Sequence, residues 1–349
     1  MKKVLSLLCI ILLLTIGFLV WKQSRKEQVN PYIEKGYTEE ELSRIETLNE
    51  ENQAYLLEED YQNNLLEYLN TTEFAEKNLK DYIHFSKLYG LSIEDTIYIV
   101  NHEYDDIEVY DELTVAFMHE TYYIHEYLNR YLNYSNMYSD VQTSSVVTNV
   151  NSNLDYAFYT QDYAVDFDKQ YLILVNKYYK LASDYVPANM VTIESPYGVS
   201  LQLESTVYEQ YKVMWNAAKQ EGLNLYICSP YRSYATQQRL YNNYVARDGK
   251  AAADTYSARP GYSEHQTGLA FDLITPTSDL DTFKYTKEFE WMQEHAHEYG
   301  FILRYPSGKE YITGYIYEPW HYRYVGVEVA TMIHETGLTY EEYYAYYVR

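Results

Sequence analysis

The sequence predicts an α+β fold: a small antiparallel sheet with flanking helices, preceded by a mainly helical N-terminal region and one transmembrane helix. Three observations carry this reading. Residues 4–21 form an uncharged run, the apolar periodicity before residue 170 is mostly that of helices, and from Glu204 onward helical stretches alternate with short strand-like runs separated by turn residues. The predicted divisions are a membrane anchor over 1–25, an accessory, mostly helical and Tyr-rich region over 26–170, and a second domain over 171–349.

In chain order, Val4 to Trp21 is interrupted only by Ser6, Thr15 and Gly17. At about 1.5 Å per residue such a run just covers a bilayer core. A cleaved leader needs small residues after its apolar run, whereas Phe18, Leu19, Val20 and Trp21 are large, so an uncleaved anchor is expected. Lysines 2 and 3 face Lys22, Arg25 and Lys26 across the run, and charge does not decide its orientation. Residues 22–35 read as a polar stalk. Thr38 is a plausible cap for a helix opening on Glu39, Glu40 and Glu41, and leucines spaced by three and four continue helical character to about Leu91. The alternating stretch Thr96–Asn101 reads as a strand, and Tyr138–Tyr156 as a loop. Glu204–Glu221 is a helix ending at Gly222; Leu223–Ser229 is a strand; Ser233 caps the next helix. Strands are expected at Leu269–Ile274, Gly300–Arg304, Glu310–Gly314 and Trp320–Val325, with a helix over Tyr285–Tyr299.

Composition narrows the function. With 27 basic and 51 acidic side chains the formal charge is −24, and a nucleic-acid partner, which requires a basic surface, is excluded. The 46 tyrosines suit packed faces that stay partly wet. Two cysteines, Cys9 and Cys228, cannot build a disulfide framework or a multi-thiolate metal site, so any metal must be held by His and carboxylates.

Asp272 stands alone in the apolar run Leu269-Ala270-Phe271-Asp272-Leu273-Ile274. A buried carboxylate there must be paired, protonated or bound to metal. Gly268 lets His265 fold back over Asp272, and Pro319 holds Glu318 extended so that it and His321 can be aimed at one point. Two His and one Asp with an open fourth position suit a catalytic zinc site, and Glu318 is placed to take a proton from the attacking water. A salt-bridged Asp272 is the alternative that spacing alone leaves open. The other histidines lack such a setting: His295 and His297 point to different sides of one helix, His119 and His125 lack the His-Glu-x-x-His pattern, and His84, His102 and His334 are isolated.

Three pieces, in this order, are Ser229-Pro230-Tyr231-Arg232-Ser233-Tyr234, Ser263-Glu264-His265-Gln266-Thr267-Gly268-Leu269-Ala270-Phe271-Asp272 and Glu318-Pro319-Trp320-His321-Tyr322-Arg323-Tyr324-Val325-Gly326. Together they closely resemble the VanY-type D-alanyl-D-alanine carboxypeptidases and their LdcB-like L,D-carboxypeptidase relatives, over roughly Leu172–Thr336. The resemblance implies that His265, Asp272 and His321 bind Zn²⁺, that Glu318 is the catalytic base, that Arg232 polarises the scissile carbonyl or holds substrate, and that Ser233, Gln237 and Ser263 line the same pocket. It implies hydrolysis of the terminal D-Ala of peptidoglycan stem peptides by a metal-activated water, with the catalytic domain on the outer side of the membrane in a Gram-positive-type wall space. Tetrapeptide L,D-carboxypeptidase action and a non-catalytic wall-binding role are the alternatives, and no protein partner is indicated.

Overall fold

The computed structural model describes residues 30–104, 106–194 and 200–349. The anchor expected over residues 1–25 lies outside these, and so does Cys9. Among the described residues no helix is long and apolar enough to cross a membrane. The C-terminal end of the expected stalk holds one short helix, Pro31–Lys35, opened by Asn30 and closed by Gly36.

Two compact units divide the chain after Met118, not at 170/171. The first is built from short helices, among them Glu39–Ile45, Glu50–Glu58, Leu65–Asn70 and Leu79–Tyr89. Its core gathers Tyr32, Tyr37, Ile45, Leu48, Leu56, Leu65, Leu69, Leu79 and Ile83. Thr38 caps as expected, in a reciprocal pair in which Thr38 N–H donates to Glu41 Oε2 at 2.7 Å and Glu41 N–H to Thr38 Oγ1 at 3.2 Å. The strand expected at Thr96–Asn101 is instead part of a helix, Ile93–Asn101. Six alternating residues are too short a window to separate the two. Ser92 accepts the Asp95 N–H at 3.0 Å, and Ile93, Ile97 and Val100 recur on one buried face.

The second unit begins at His119 because residues 119–155 are tied to the chain's C-terminal region. Tyr122 stacks on Tyr346 with ring centroids 3.8 Å apart, Thr148 Oγ1 meets the Tyr346 hydroxyl at 2.6 Å, and Arg349 donates to the Asn151 carbonyl at 2.7 Å. Within this stretch the expected loop over 138–156 contains a helix, Thr143–Asn151, whose Val146, Val147 and Val150 are buried. Arg130 clamps the next segment through Asp155 at 2.6 and 2.8 Å.

Two small pairings precede the main sheet: β1 (Tyr163–Ala164) with β2 (Tyr179–Lys180), parallel, and the antiparallel hairpin of β3 (Met190–Glu194) and β4 (Ser200–Glu204). The long helix Ser205–Gln220 comes next, and β5 (Tyr226–Ser229), β6 (Ala270–Ile274), β7 (Phe301–Leu303) and β8 (His321–Tyr324) form an antiparallel sheet in the order β5-β6-β8-β7. The strand expected at Glu310–Gly314 is a single helical turn, Glu310–Thr313, ended by Gly314. Alternation along β6 sorts its side chains as expected. Phe271, paired with Tyr322, and Leu273 are fully buried in the hydrophobic core together with Val207, Met214 and Phe301, while Asp272 and its partner His321 lie on the other face.

Gly268, which ends the turn before β6, has φ +70°, and a Cβ there would come within 3.2 Å of the Glu204 backbone nitrogen and 3.0 Å of Met190 Sδ. Gly268→Ala is expected to cost about 1–2 kcal/mol from the left-handed backbone alone, with crowding in addition. The shift of the urea midpoint measures it; an unchanged midpoint would mean the turn relaxes freely.

Candidate active site

Sheet register brings the first two ligands together. Asp272 in β6 and His321 in β8 are direct cross-strand partners, so their side chains leave the sheet side by side, and His321 Nδ1 lies 3.0 Å from Asp272 Oδ1. His265 comes from the short turn Glu264–Thr267, with its Nε2 3.5 Å from Asp272 Oδ2. Its Nδ1 meets the Pro230 carbonyl at 2.7 Å, which assigns the proton to Nδ1 and turns the Nε2 lone pair toward the acid. One ligand atom from each of His265, Asp272 and His321 lies within 4.8 Å of the others, and all three residues are buried. Two imidazoles and one carboxylate converging this way suit a four-coordinate divalent cation with one position left for water or substrate.

Electrostatics agree with that donor set. Burial, aided by nearby Arg232, lowers His265 to about 4 and keeps it neutral. Burial alone would raise Asp272, but the two imidazoles hold its carboxyl well below the usual range. Burial would also lower His321; its hydrogen bond with Asp272 and the nearby Glu264 carboxylate outweigh it and lift the ring to about 9. The carboxylates that favour a proton on His321 favour a cation beside it for the same Coulombic reason.

Glu318 closes the arrangement. A turn in which His321 N–H donates to the Glu318 carbonyl at 3.1 Å brings Glu318 Oε2 to 3.8 Å from His321 Nδ1, near the ligand atoms but not among them. Burial pushes its carboxyl up to about 7, where a proton acceptor works best near neutral pH.

These residues share a cavity of about 380 Å³ with Arg232, Gln237, Ser263, Tyr305 and Trp320. Arg232 lies three residues past the end of β5, after Pro230 and Tyr231, and its Nε is buried without a hydrogen-bond partner among the described residues; the Gln237 Oε1 is in the same condition, although its Nε2 donates to the Ala258 carbonyl at 2.7 Å. An unmatched donor and an unmatched acceptor facing one cavity suit a ligand that brings its own polar groups. Ser233 is placed differently from the others. Its hydroxyl accepts the Thr236 N–H at 3.3 Å and caps helix Tyr234–Asp248, and it is not among the cavity's lining residues. The remaining cysteine, Cys228, has its thiol pushed up to about 12 by burial and is not a metal ligand here.

Sequence reasoning missed four charged residues below the site. Glu264, Arg304, Arg323 and Glu341 are all buried, with Arg304 and Arg323 at most 1% exposed. The signal was available: Arg304 and Arg323 are lone charges in otherwise apolar or aromatic runs, the same anomaly that singled out Asp272.

Residues 200–327 match the family described as VanY, D-alanyl-D-alanine carboxypeptidase. The chain is 41% identical over 185 residues to YodJ of Bacillus subtilis strain 168, covering 50% of this chain and 66% of that protein. It is 35% identical over 181 residues to the bifunctional D-Ala-D-Ala dipeptidase and D-Ala-D-Ala carboxypeptidase VanXYC of Enterococcus gallinarum, covering 50% of this chain and 94% of the relative. The solved structure of the LdcB LD-carboxypeptidase is similar with a TM-score of 0.50 at 39% identity, over 52% of this chain and 89% of that one. The chain therefore spans just under two thirds of YodJ, 66%, and nearly all of VanXYC, 94%.

Proposed function

The chain belongs to the VanY family of D-alanyl-D-alanine carboxypeptidases, and we propose from that premise that it is a zinc-dependent carboxypeptidase removing the terminal D-Ala from peptidoglycan stem peptides. The observation that carries the proposal is the convergence of His265, Asp272 and His321 in one cavity with Glu318 beside them and Arg232 facing the same space.

His265, Asp272 and His321 would hold the metal. Zinc, when bound, supplies a Lewis acid for the scissile carbonyl and makes a water acidic enough to ionise near neutral pH. Glu318 takes the proton from the attacking water and returns it to the leaving amine of D-Ala. Arg232 presents a fixed guanidinium fork to the developing oxyanion or to the terminal carboxylate of the peptide. Tyr305 and Trp320 wall the cavity beside the reacting groups. No covalent intermediate with the protein is required.

Similarity to LdcB supports a second reading, L,D-carboxypeptidase action on tetrapeptide stems. Purified pentapeptide and tetrapeptide muropeptides, incubated with the chain and monitored by mass, separate the two. The pentapeptide is expected to lose one alanine, and a chelator is expected to stop the loss until zinc is restored. Loss from the tetrapeptide alone assigns the L,D activity. No loss from either peptide by a zinc-loaded chain removes the enzyme reading and leaves a wall-binding role. The apolar run over residues 4–21 would hold the catalytic unit at the outer face of the membrane, within reach of these peptides.

A further inference from the structure

Glu264 lies directly behind His321. Its Oε1 accepts from Arg304 Nε at 2.8 Å and from Arg323 Nη1 at 2.8 Å, so one oxygen satisfies both arginines. Its Oε2 has no hydrogen-bond partner among the described residues, and neither has His321 Nε2; the two atoms are buried and face each other at 3.6 Å. Glu341 is the contrast in the same cluster: both its oxygens engage Arg304, at 2.8 and 2.6 Å, and its Oε1 also accepts from Asn176 Nδ2 at 3.4 Å. In Glu264 one oxygen is held back from the arginines and points at the ring of a metal ligand.

Charge makes the arrangement workable. Two carboxylates and two guanidinium groups sum to zero, so Glu264 stays ionised in a buried place without adding net charge under the site. Arg323 is fixed in turn by the Tyr171 and Ile173 carbonyls at 2.9 and 2.8 Å, and Glu341 belongs to the helix Tyr340–Tyr343, beyond the stretch that matches the family.

We propose that Glu264 is a positioning residue for His321: it accepts the hydrogen bond of the Nε2–H, which fixes the ring and its tautomer and leaves Nδ1 for the metal. The turn that delivers His265 thereby also aims His321, so both imidazoles answer to one four-residue segment, Glu264–Thr267. Partners of this kind behind a metal-bound imidazole raise its basicity and hold its orientation. The proposal rests on the assignment of His265, Asp272 and His321 as the metal's holders, and the experiment separates the two.

The 349-residue chain, purified in detergent, is titrated with zinc against a competing chelator as wild type, E264Q and E341Q. Circular dichroism checks the fold, and ring-¹⁵N-labelled histidine reports the state of His321. Tight zinc binding by the wild type is expected; its absence would overturn the ligand assignment and this proposal with it. For E264Q, zinc affinity is expected to fall by roughly 10–100-fold, and the Nε2 proton of His321 is expected to lose its downfield shift and its protection from exchange. For E341Q, which loosens Arg304 without touching His321, zinc affinity is expected to stay close to that of the wild type. Wild-type affinity in E264Q, or an equal loss in both variants, overturns the positioning role while leaving the ligand assignment intact. Should E264Q fail to fold, the wild type decides alone: a protected proton on His321 Nε2 in the zinc-loaded chain supports the proposal, and a Nε2 without a proton, or one exchanging freely with water, overturns it.

Discussion

Glu318→Gln is expected to leave zinc bound at full stoichiometry while kcat falls by roughly 10²–10⁴-fold. Glutamine fills the same buried space but cannot accept the proton of the attacking water. The metal should remain because Glu318 Oε2, 3.8 Å from His321 Nδ1, is not one of the three converging ligand atoms. KM should change little, since Arg232 and the cavity walls still bind the peptide. Zinc content and turnover measured on the same preparation check this: near-normal turnover removes Glu318 as the base, and loss of zinc would make it a ligand instead.

His265→Ala is expected to release the metal, with affinity falling by more than the roughly 10–100-fold that accompanies loss of a residue which only orients a ligand. Alanine removes one of the three donors, and the two left, Asp272 and His321, do not make a closed set. Activity should vanish with the zinc and return only partly at high added zinc. Retained stoichiometric zinc in the variant would take His265 out of the ligand set. Because His265 Nδ1 also ties the turn to the Pro230 carbonyl, the fold of the variant is to be confirmed by circular dichroism before the metal is counted.

These two experiments address residues that were legible in the sequence for a physical reason. A single acid in the run from Leu269 to Ile274 is too costly to bury unpaired, and that anomaly led to Asp272 and from it to His265 and His321. The same logic applied to Arg304 and Arg323 would have revealed the buried charges beneath the site. What it could not reveal is Glu341, which reaches Arg304 across a sequence separation of 37 residues from a stretch dense in tyrosine and acid. Local pattern failed where windows were short. Six alternating residues at Thr96–Asn101 look like a strand until the Ser92 cap and the spacing of Ile93, Ile97 and Val100 are weighed together, and Glu310–Gly314 turns out to be one helical turn. The boundary after Met118 was illegible for a different reason: the hydrogen bonds that tie Thr148 to Tyr346 and Asn151 to Arg349 each span 198 positions, and nothing in the intervening composition signals them.

The pairing of Asp272 with His321 has a consequence for how such a centre tolerates change. The two positions are 49 apart along the chain, yet their relation is set by the hydrogen-bond ladder between β6 and β8, not by the connecting segment. Length changes confined to the parts of that segment outside β7 and the turn from Glu318 to His321 leave the cation's cradle where it is. Removal of a single residue inside either strand inverts the parity of the rest of that strand and swings one donor into the hydrocarbon interior, beside Phe271 and Tyr322. The Asp272–His321 pairing is thus tolerant of length between the strands and intolerant of parity within them.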